Sequence, residues 1–185
     1  MEKIITAFFF LLAGICTNGQ DKYFTKAGRI NFSATAPSSP GNIDGVNKST
    51  TCVLDTKTGS IQFGLLMKGF EFERALMQEH FNENYIESDK FPKADFKGMV
   101  TNNTIVNYTK DGNYPIKVKG KLNMHGEIKE IETDGKLIVK DGKINAVAEF
   151  PLVLSDFKIA IPALVADKVS STAKINVNCV LEPLK

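Results

Sequence analysis

Apolar and polar residues alternate along much of the chain, and this period of two predicts β-strands. Between Arg29 and Ala36 the even-numbered positions are apolar and the odd-numbered positions are polar. The alternation recurs in four later segments, at 61–67, 116–124, 144–154 and 173–181. Strict alternation is typical of strands with one face in an apolar interior and the other in water. It favours an antiparallel sheet, because the strands of parallel sheets form continuous apolar runs.

Turn-forming residues separate these segments. Pro40-Gly41-Asn42 and Thr58-Gly59-Ser60 fit tight connections, and Asp134-Gly135 and Asp141-Gly142 predict hairpin turns. We count about eight strands, all with one apolar face. Such a set must bury that face in a sandwich or in a closed barrel.

Two stretches depart from the β pattern. Residues 73–84 are rich in helix-forming residues, and Leu76, Met77, His80 and Phe81 would share one side of a short helix. Residues 159–165 are apolar without alternation and contain Pro162. We expect a loop or short helical turn there, near one mouth of a barrel.

The size of the inward side chains leaves two interiors open. Several expected inward positions are small, namely Ala34, Ala36, Gly98, Gly120, Ala146, Ala148 and Ala173. In an eight-stranded barrel, small residues would leave a lumen for one ligand. The alternative is that Phe32, Phe63, Phe96 and Phe150 fill these gaps and give a packed core.

The N-terminus predicts export. Residues 1–19 combine Lys3, an apolar run from Ile4 to Ile15 and small residues before Gln20, as a cleavable secretory signal does. An uncleaved anchor and lipoprotein processing at Cys16 are the alternatives. We therefore expect a single domain over 20–185 in the periplasm or outside the cell. Cys52 and Cys179 would remain, either as a disulfide or as two separate buried thiols.

Composition and motifs argue against several functions. The chain has 23 basic and 21 acidic side chains with both signs mixed, so it lacks the basic footprint of a nucleic-acid binder. It has two histidines and three cysteines, too few for a rich metal site. No nucleophile elbow, zinc-binding helix or phosphate-binding glycine loop is present in the sequence. We expect no enzyme, no cofactor and no metal.

Two segments resemble the YceI-like family. Residues 80–98 begin with His80 and a phenylalanine and continue through Phe91-Pro92 to Phe96 before a small residue, as the family's signature does. Residues 120–129 are similar to the family's Gly-x-Leu-Thr-x-His-Gly-x-Thr-Lys stretch and keep His125-Gly126. This chain departs from the pattern at Met77-Gln78, where the family usually has Arg-Asp, and at Asn123 and Ile128, where it has Thr.

The resemblance implies an extended lipocalin-like barrel, here an all-β, eight-stranded antiparallel barrel with a short helical insertion. It also implies binding of a long isoprenoid, such as a polyisoprenoid or an isoprenoid quinone, in the lumen, and a periplasmic homodimer. The runner-up function is an envelope interaction or structural module with a filled core and no lipid.

We expect the ligand to touch the inward-facing apolar side chains. These are Phe32, Ala34, Phe63, Leu65, Met67, Phe96, Val118, Leu122, Ala148, Phe150, Leu152, Ile175 and Val177, with Leu76 and Phe81 sealing the helix side and Ile161 and Leu164 at an entrance. For His80 we expect a hydrogen bond between helix and barrel. For His125, on the polar face of its strand beside Gly126, we expect a structural role in a turn, with a contact to the ligand or its head group as the alternative. Lys117, Lys119 and Lys121 form a basic stripe, either a solvated face or a transient contact with anionic membrane lipids.

Overall fold

The computed structural model describes residues 21–184, so the expected signal peptide at 1–19 lies outside the described residues. Nine antiparallel strands account for most of this range. They are β1 (Lys22–Thr35), β2 (Asp44–Asp55), β3 (Ser60–Leu66), β4 (Phe70–Phe72), β5 (Lys93–Val100), β6 (Gly112–Met124), β7 (Glu127–Lys140), β8 (Lys143–Val153) and β9 (Val169–Pro183).

The strands close into a barrel. They are hydrogen-bonded in the order β1-β9-β8-β7-β6-β5-β3-β2, and pairing of β1 with β2 completes the ring. A 3₁₀ turn at Met67–Gly69 separates β3 from the short β4. Strand β3 pairs with the C-terminal half of β2, and β4 pairs with its N-terminal end. Since β3 and β4 lie along the same side of β2, the wall has eight members. The prediction of an eight-stranded antiparallel barrel is confirmed.

Two tight hairpins show the backbone conformation that two-residue turns require. His125-Gly126 joins β6 to β7 and Asp141-Gly142 joins β7 to β8, and all four residues have positive φ. Positive φ at both central residues defines a type I′ turn, whose twist matches that of the two flanking strands. The predicted turn at Asp134-Gly135 is wrong. Gly135 lies within β7, where it pairs with Ile116 on one side and Ala148 on the other.

The helical insertion lies between β4 and β5. It consists of α1 (Ala75–His80), a π-helical turn at Phe81–Tyr85 and a turn leading into β5. The predicted short helix is therefore present, although it is α-helical only over Ala75–His80 and continues as a π-helical turn. Among residues 21–184, no helix has the length and apolar character needed to cross a bilayer.

Strand β2 lacks a clean alternation because polar groups face inward from it. Asn47 is buried, and its Nδ2 donates to the carbonyl of Leu66 at 3.0 Å. Its Oδ1 accepts the backbone N–H of Ser49 at 3.0 Å, next to a register shift in the pairing of β1 with β2. The Asn47 side chain thus supplies hydrogen-bond partners to backbone groups that the irregular strand pairing leaves without one.

Buried apolar side chains form one cluster at each end of the barrel. The first, around Leu54, Ile61, Leu137 and Leu181, closes the end where β2 joins β3 and β7 joins β8. The second, around Met67, Phe81, Leu154 and Phe157, lies at the end that carries the helical insertion. Between the two clusters the barrel is not completely filled.

Candidate functional site: an apolar cavity in the barrel

A cavity of about 390 Å³ lies along the barrel axis. Every strand of the wall except β2 contributes to its lining, from Ile61 and Val118 towards the closed end to Phe72 and Tyr85 under the insertion. It opens at the end formed by the connections β1–β2, β4–β5 and β8–β9, where exposed residues such as Arg74 and Lys168 join the lining. Its volume falls within the roughly 300–1,000 Å³ of typical ligand pockets.

Most residues expected at the ligand line this cavity. They are Phe32, Ala34, Phe63, Leu65, Met67, Phe81, Phe96, Val118, Leu122, Ala148, Phe150, Leu152, Ile175 and Val177. The alternation of each strand therefore identified the inward face correctly, and one space brings these side chains together.

Three of the expected residues lie elsewhere. Leu76 is 61% exposed, because Met77 and Phe81, four residues apart, turn towards the barrel and leave Leu76 on the solvent side of the short helix. Leu164 is 88% exposed in a 3₁₀ turn whose next residue, Val165, lines the cavity instead. Ile161 packs against the core of the insertion end without lining the cavity.

Phenylalanine rings enclose the part of the cavity that lies under the helical insertion. Phe81, from the insertion, packs at 4.9 Å from Phe72, 5.5 Å from Phe70 and 5.8 Å from Phe32, measured between ring centroids. The pairs are tilted or edge-to-face, as aromatic pairs prefer. The side chain of Phe81 thus anchors the insertion in the barrel mouth by apolar contact.

The Phe96 ring fills part of the space expected from small residues on the adjacent strands. Gly98 and Gly120 pair across β5 and β6, and a Cβ on either would lie within 2.7 Å of the Phe96 ring. Phe96 in turn meets Phe63 of β3 at 6.2 Å between centroids. The two glycines therefore accommodate an aromatic ring and do not widen the lumen, which is a correction to the expectation.

His125 lies in the β6–β7 turn, as expected, but it is buried there and does not lie on a polar face. Its Nδ1 lies 2.7 Å from the carbonyl oxygen of Phe157, and its Nε2 lies 3.3 Å from Oε2 of Glu87. The ring of Phe91 covers it at 4.4 Å. Since Glu87 and Phe91 belong to residues 80–98, the two segments that carry the family resemblance meet in space.

His80 differs from expectation, whereas the lysine stripe is the solvated face that was one of its two interpretations. His80 lines the cavity rim, and within residues 21–184 its side chain makes no hydrogen bond to the barrel. Lys117 pairs with Asp134 at 2.9 Å and Lys119 with Glu130 at 3.2 Å. The hydrogen bond and charge of Asp134 raise the pKa of Lys117. Carboxylates of β7 thus neutralise two lysines of the stripe.

Cys52 and Cys179 are free thiols in this structure, and both are fully buried. They lie on β2 and β9, the two neighbours of β1, and Cys52 hydrogen-bonds to Cys179. The structure thus brings together the two side chains of the possible disulfide, which stays a prediction. Among the described residues, no group of three histidine, cysteine or acidic side chains could hold a metal ion.

Several lining residues escaped the sequence analysis. Phe70 and Phe72 line the cavity from β4, where the Phe-Glu-Phe spacing was the available signal. Arg74 and Lys168 stand at the rim, each directly beside an element boundary. Isolated cations next to turns carry no sequence signal for a cavity mouth.

Known proteins share this architecture. A polyisoprenoid-binding domain from Saccharophagus degradans, implicated in plant cell wall breakdown, superposes with a TM-score of 0.75 at 13% identity, covering 89% of this chain and 99% of that one. BcnA of Burkholderia cenocepacia gives 0.64 at 14% identity, covering 82% and 95%. The Campylobacter jejuni YCEI protein gives 0.56 at 18% identity, covering 76% and 84%. At these identities the likeness shows the fold.

No curated protein sequence gives a significant match to this chain. The sequence model of the YceI-like domain, in contrast, matches residues 24–181, which span all of the barrel except the extreme ends of β1 and β9. Together with the closed barrel and the contact between the two signature segments, this match identifies the chain as a member of the YceI-like family.

Proposed function

We propose that the protein binds a long-chain isoprenoid, or a similar amphipathic lipid, inside the barrel and carries or sequesters it in the cell envelope without catalysis. The observation that supports this proposal most directly is the apolar cavity of about 390 Å³ that opens at one end of the barrel. Its wall consists mainly of Phe, Leu, Ile, Val and Ala side chains, which favour a hydrocarbon.

Hydrocarbon burial is sufficient to drive such binding. Each CH₂ group removed from water contributes about 0.8 kcal/mol, and an apolar tail needs no hydrogen-bonding partner in the wall. Specificity would then follow from the bore and length of the cavity. The polyisoprenoid-binding domain with the same fold supports an isoprenoid as the ligand. A cavity of this size also weighs against the alternative of a module with a filled core.

The proposed location in the periplasm or outside the cell rests on the leader at 1–19. The homodimer and a transient contact with the membrane surface stay predictions from the resemblance and from the lysine stripe.

Two measurements test the proposal. Organic extraction of the purified protein, followed by mass spectrometry, should recover a long-chain isoprenoid or related lipid. Delipidated protein should then bind geranylgeraniol, an alcohol of four isoprene units. At 100 times the dissociation constant the ligand should stabilise the fold by about 2.7 kcal/mol, which raises Tm by roughly 5–10 °C for a domain of this size. A lipid-free extract together with an unchanged Tm would contradict the proposal.

A further inference from the structure

The rim of the cavity carries positive charge without matching negative charge. Arg74 precedes α1 and Lys168 precedes β9, and both line the cavity where it opens to solvent. The acidic residue in the lining is Asp95, whose carboxylate accepts a hydrogen bond from Nδ2 of Asn123 at 3.1 Å. Glu73 and Asp167 adjoin the two cations in the chain, but neither lines the cavity.

These two cations differ from three lysines of the barrel wall that have carboxylate partners. Lys117, Lys143 and Lys174 pair with carboxylates of neighbouring strands at 2.9, 2.6 and 2.8 Å. Within residues 21–184, neither Arg74 nor Lys168 takes part in an ion pair or a side-chain hydrogen bond. Carboxylates thus neutralise these three wall lysines, whereas the two cations at the mouth have no such partner.

The connection between β1 and β2 links the two cations. The guanidinium of Arg74 lies against this connection, with its nitrogens 3.5 and 3.8 Å from the position of a Cβ on Gly41. At the other end of the connection, the N–H of Ala36 donates to the carbonyl of Lys168 at 3.1 Å. Ser38 Oγ also donates to the carbonyl of Asp167. The side chain of Arg74 and the backbone of Lys168 therefore lie against the same connection, at one edge of the opening.

We infer that this rim binds the anionic head group of the lipid, and that the ligand class is an isoprenoid phosphate monoester with its tail in the cavity. This inference rests on the proposed function. A guanidinium offers paired N–H donors that match phosphate oxygens, and an ammonium adds a point charge. Two positive charges at the mouth of a largely apolar cavity complement a head group with a charge of about −1.5 to −2.

A comparison of two ligands with the same tail separates the contribution of the head group to affinity from that of the hydrocarbon. Geranylgeraniol and geranylgeranyl monophosphate would each be titrated into delipidated wild-type protein and into Arg74→Gln, Lys168→Gln and Lys174→Gln variants. Lys174 is the matched control, because it lies on the barrel wall and pairs with Glu149. We expect the phosphate to bind wild type at least about 10-fold more tightly than the alcohol, a difference of about 1.4 kcal/mol.

The rim variants should each weaken phosphate binding about 3- to 10-fold and leave alcohol binding unchanged, whereas Lys174→Gln should change neither. In about 1 M salt, where the screening length falls to about 3 Å, the preference for phosphate should shrink.

Equal affinity for the two ligands in wild type, or equal losses for both in the rim variants, would overturn the head-group inference and leave the proposed function standing. Binding of neither ligand would contradict the proposed function itself. Inorganic phosphate that competes as strongly as the prenyl phosphate would also overturn the inference, because the rim would then be a site for free phosphate.

Discussion

The imidazole of His125 is held by the backbone carbonyl of Phe157, whose oxygen lies 2.7 Å from Nδ1. A carbonyl can only accept a hydrogen bond, so Nδ1 carries a proton. Nε2 faces the carboxylate of Glu87 at 3.3 Å, an ion-pair distance. One buried side chain thus joins the β6–β7 turn to the β8–β9 connection and to the helical insertion.

Replacement of His125 by Ala should therefore destabilise the barrel. The Phe157 carbonyl would lose its buried partner, which costs about 1–3 kcal/mol. Urea unfolding followed by circular dichroism measures the loss. His80→Ala is the matched control, because His80 is exposed and should change stability by no more than about 0.5 kcal/mol. Equal stability of the two variants would show that the His125 contact does not hold the turn.

Gly120 should not tolerate a side chain. A Cβ there would lie 2.4 Å from both the Cα of Gly98 and the carbonyl oxygen of Lys97, which are backbone atoms that cannot move aside. We expect Gly120→Ala to lower the free energy of unfolding by at least about 1–3 kcal/mol.

Gly64→Ala is the control for Gly120, since a Cβ at Gly64 meets nothing within 4 Å. Its stability should stay equal or rise by about 0.4–1 kcal/mol, because alanine restricts the unfolded chain. Thermal unfolding of both variants tests the pair, and a Gly120→Ala variant as stable as wild type would contradict the close approach of β5 and β6.

Ala148→Phe should block ligand uptake. Ala148 lines the cavity from β8, opposite Gly135 and Val177, and a phenyl ring there would occupy the bore. We expect the affinity for geranylgeraniol to fall at least about 10-fold, with far-ultraviolet circular dichroism unchanged. Val153→Phe is the control on the same strand, at a position that is 42% exposed. Unchanged uptake by Ala148→Phe would place the ligand elsewhere.

Strands with apolar inward faces could be predicted from the sequence, and the remaining ones could not. Strand β2 directs Asn47 and Thr50 inward, where Asn47 satisfies an irregular ladder, so its pattern resembles a loop. Strand β7 carries Thr133 and Gly135 on its cavity side. An Asp-Gly pair was mistaken for a turn because local turn chemistry does not reveal that both flanking ladders continue through it.

The candidate site also has one part that could be predicted from the sequence and one part that could not. Its apolar wall could be predicted because alternation assigns each side chain to one face of a strand. The rim depends on which connections meet at one end of the barrel, and no local pattern encodes this meeting. Arg74 and Lys168 are 94 positions apart in sequence, and only the closure of the barrel brings both to the same opening.

Tyr108 should give the stability a distinct dependence on alkaline pH. Its hydroxyl donates to Oδ1 of Asn103 at 2.5 Å, and burial raises its pKa to about 12. In the unfolded chain a tyrosine ionises near pH 10. Between about pH 10 and pH 12 the unfolded state therefore loses a proton that the folded state keeps, and stability falls as pH rises.

Tyr108→Phe separates this contribution from other groups that titrate in the same range. At neutral pH the variant should be less stable by about 0.5–1.5 kcal/mol, since the hydrogen bond is lost. The difference between wild type and variant should narrow from pH 10 to pH 12 in urea unfolding. A difference that stays constant over this window would show that Tyr108 ionises equally easily in both states.

The last prediction concerns Cys52 and Cys179, whose side chains meet across β1. A Cβ on Gly28 of β1 would lie 2.5 Å from the Sγ of Cys179, so the glycine provides the space in which the thiols approach. The hydrogen bond to Cys179 and burial raise the pKa of Cys52. Both thiols are fully buried, so an oxidant cannot reach them in the folded barrel.

We predict that the two thiols are oxidised to a disulfide before the barrel closes. They would lose two protons and two electrons to a disulfide oxidant, which would be reduced to two thiols. Exported protein, denatured without reductant, should then show no free thiol in a thiol titration, whereas protein made without residues 1–19 in a reducing cytosol should show two.

The disulfide would also stabilise the fold. It closes a loop of more than 100 residues, for which chain entropy predicts about 4–5 kcal/mol of stabilisation, so reduction should lower the midpoint of urea unfolding. Two titratable thiols in exported protein would contradict the pairing, and a Cys52→Ser variant with an unchanged midpoint would show that the link contributes no stability.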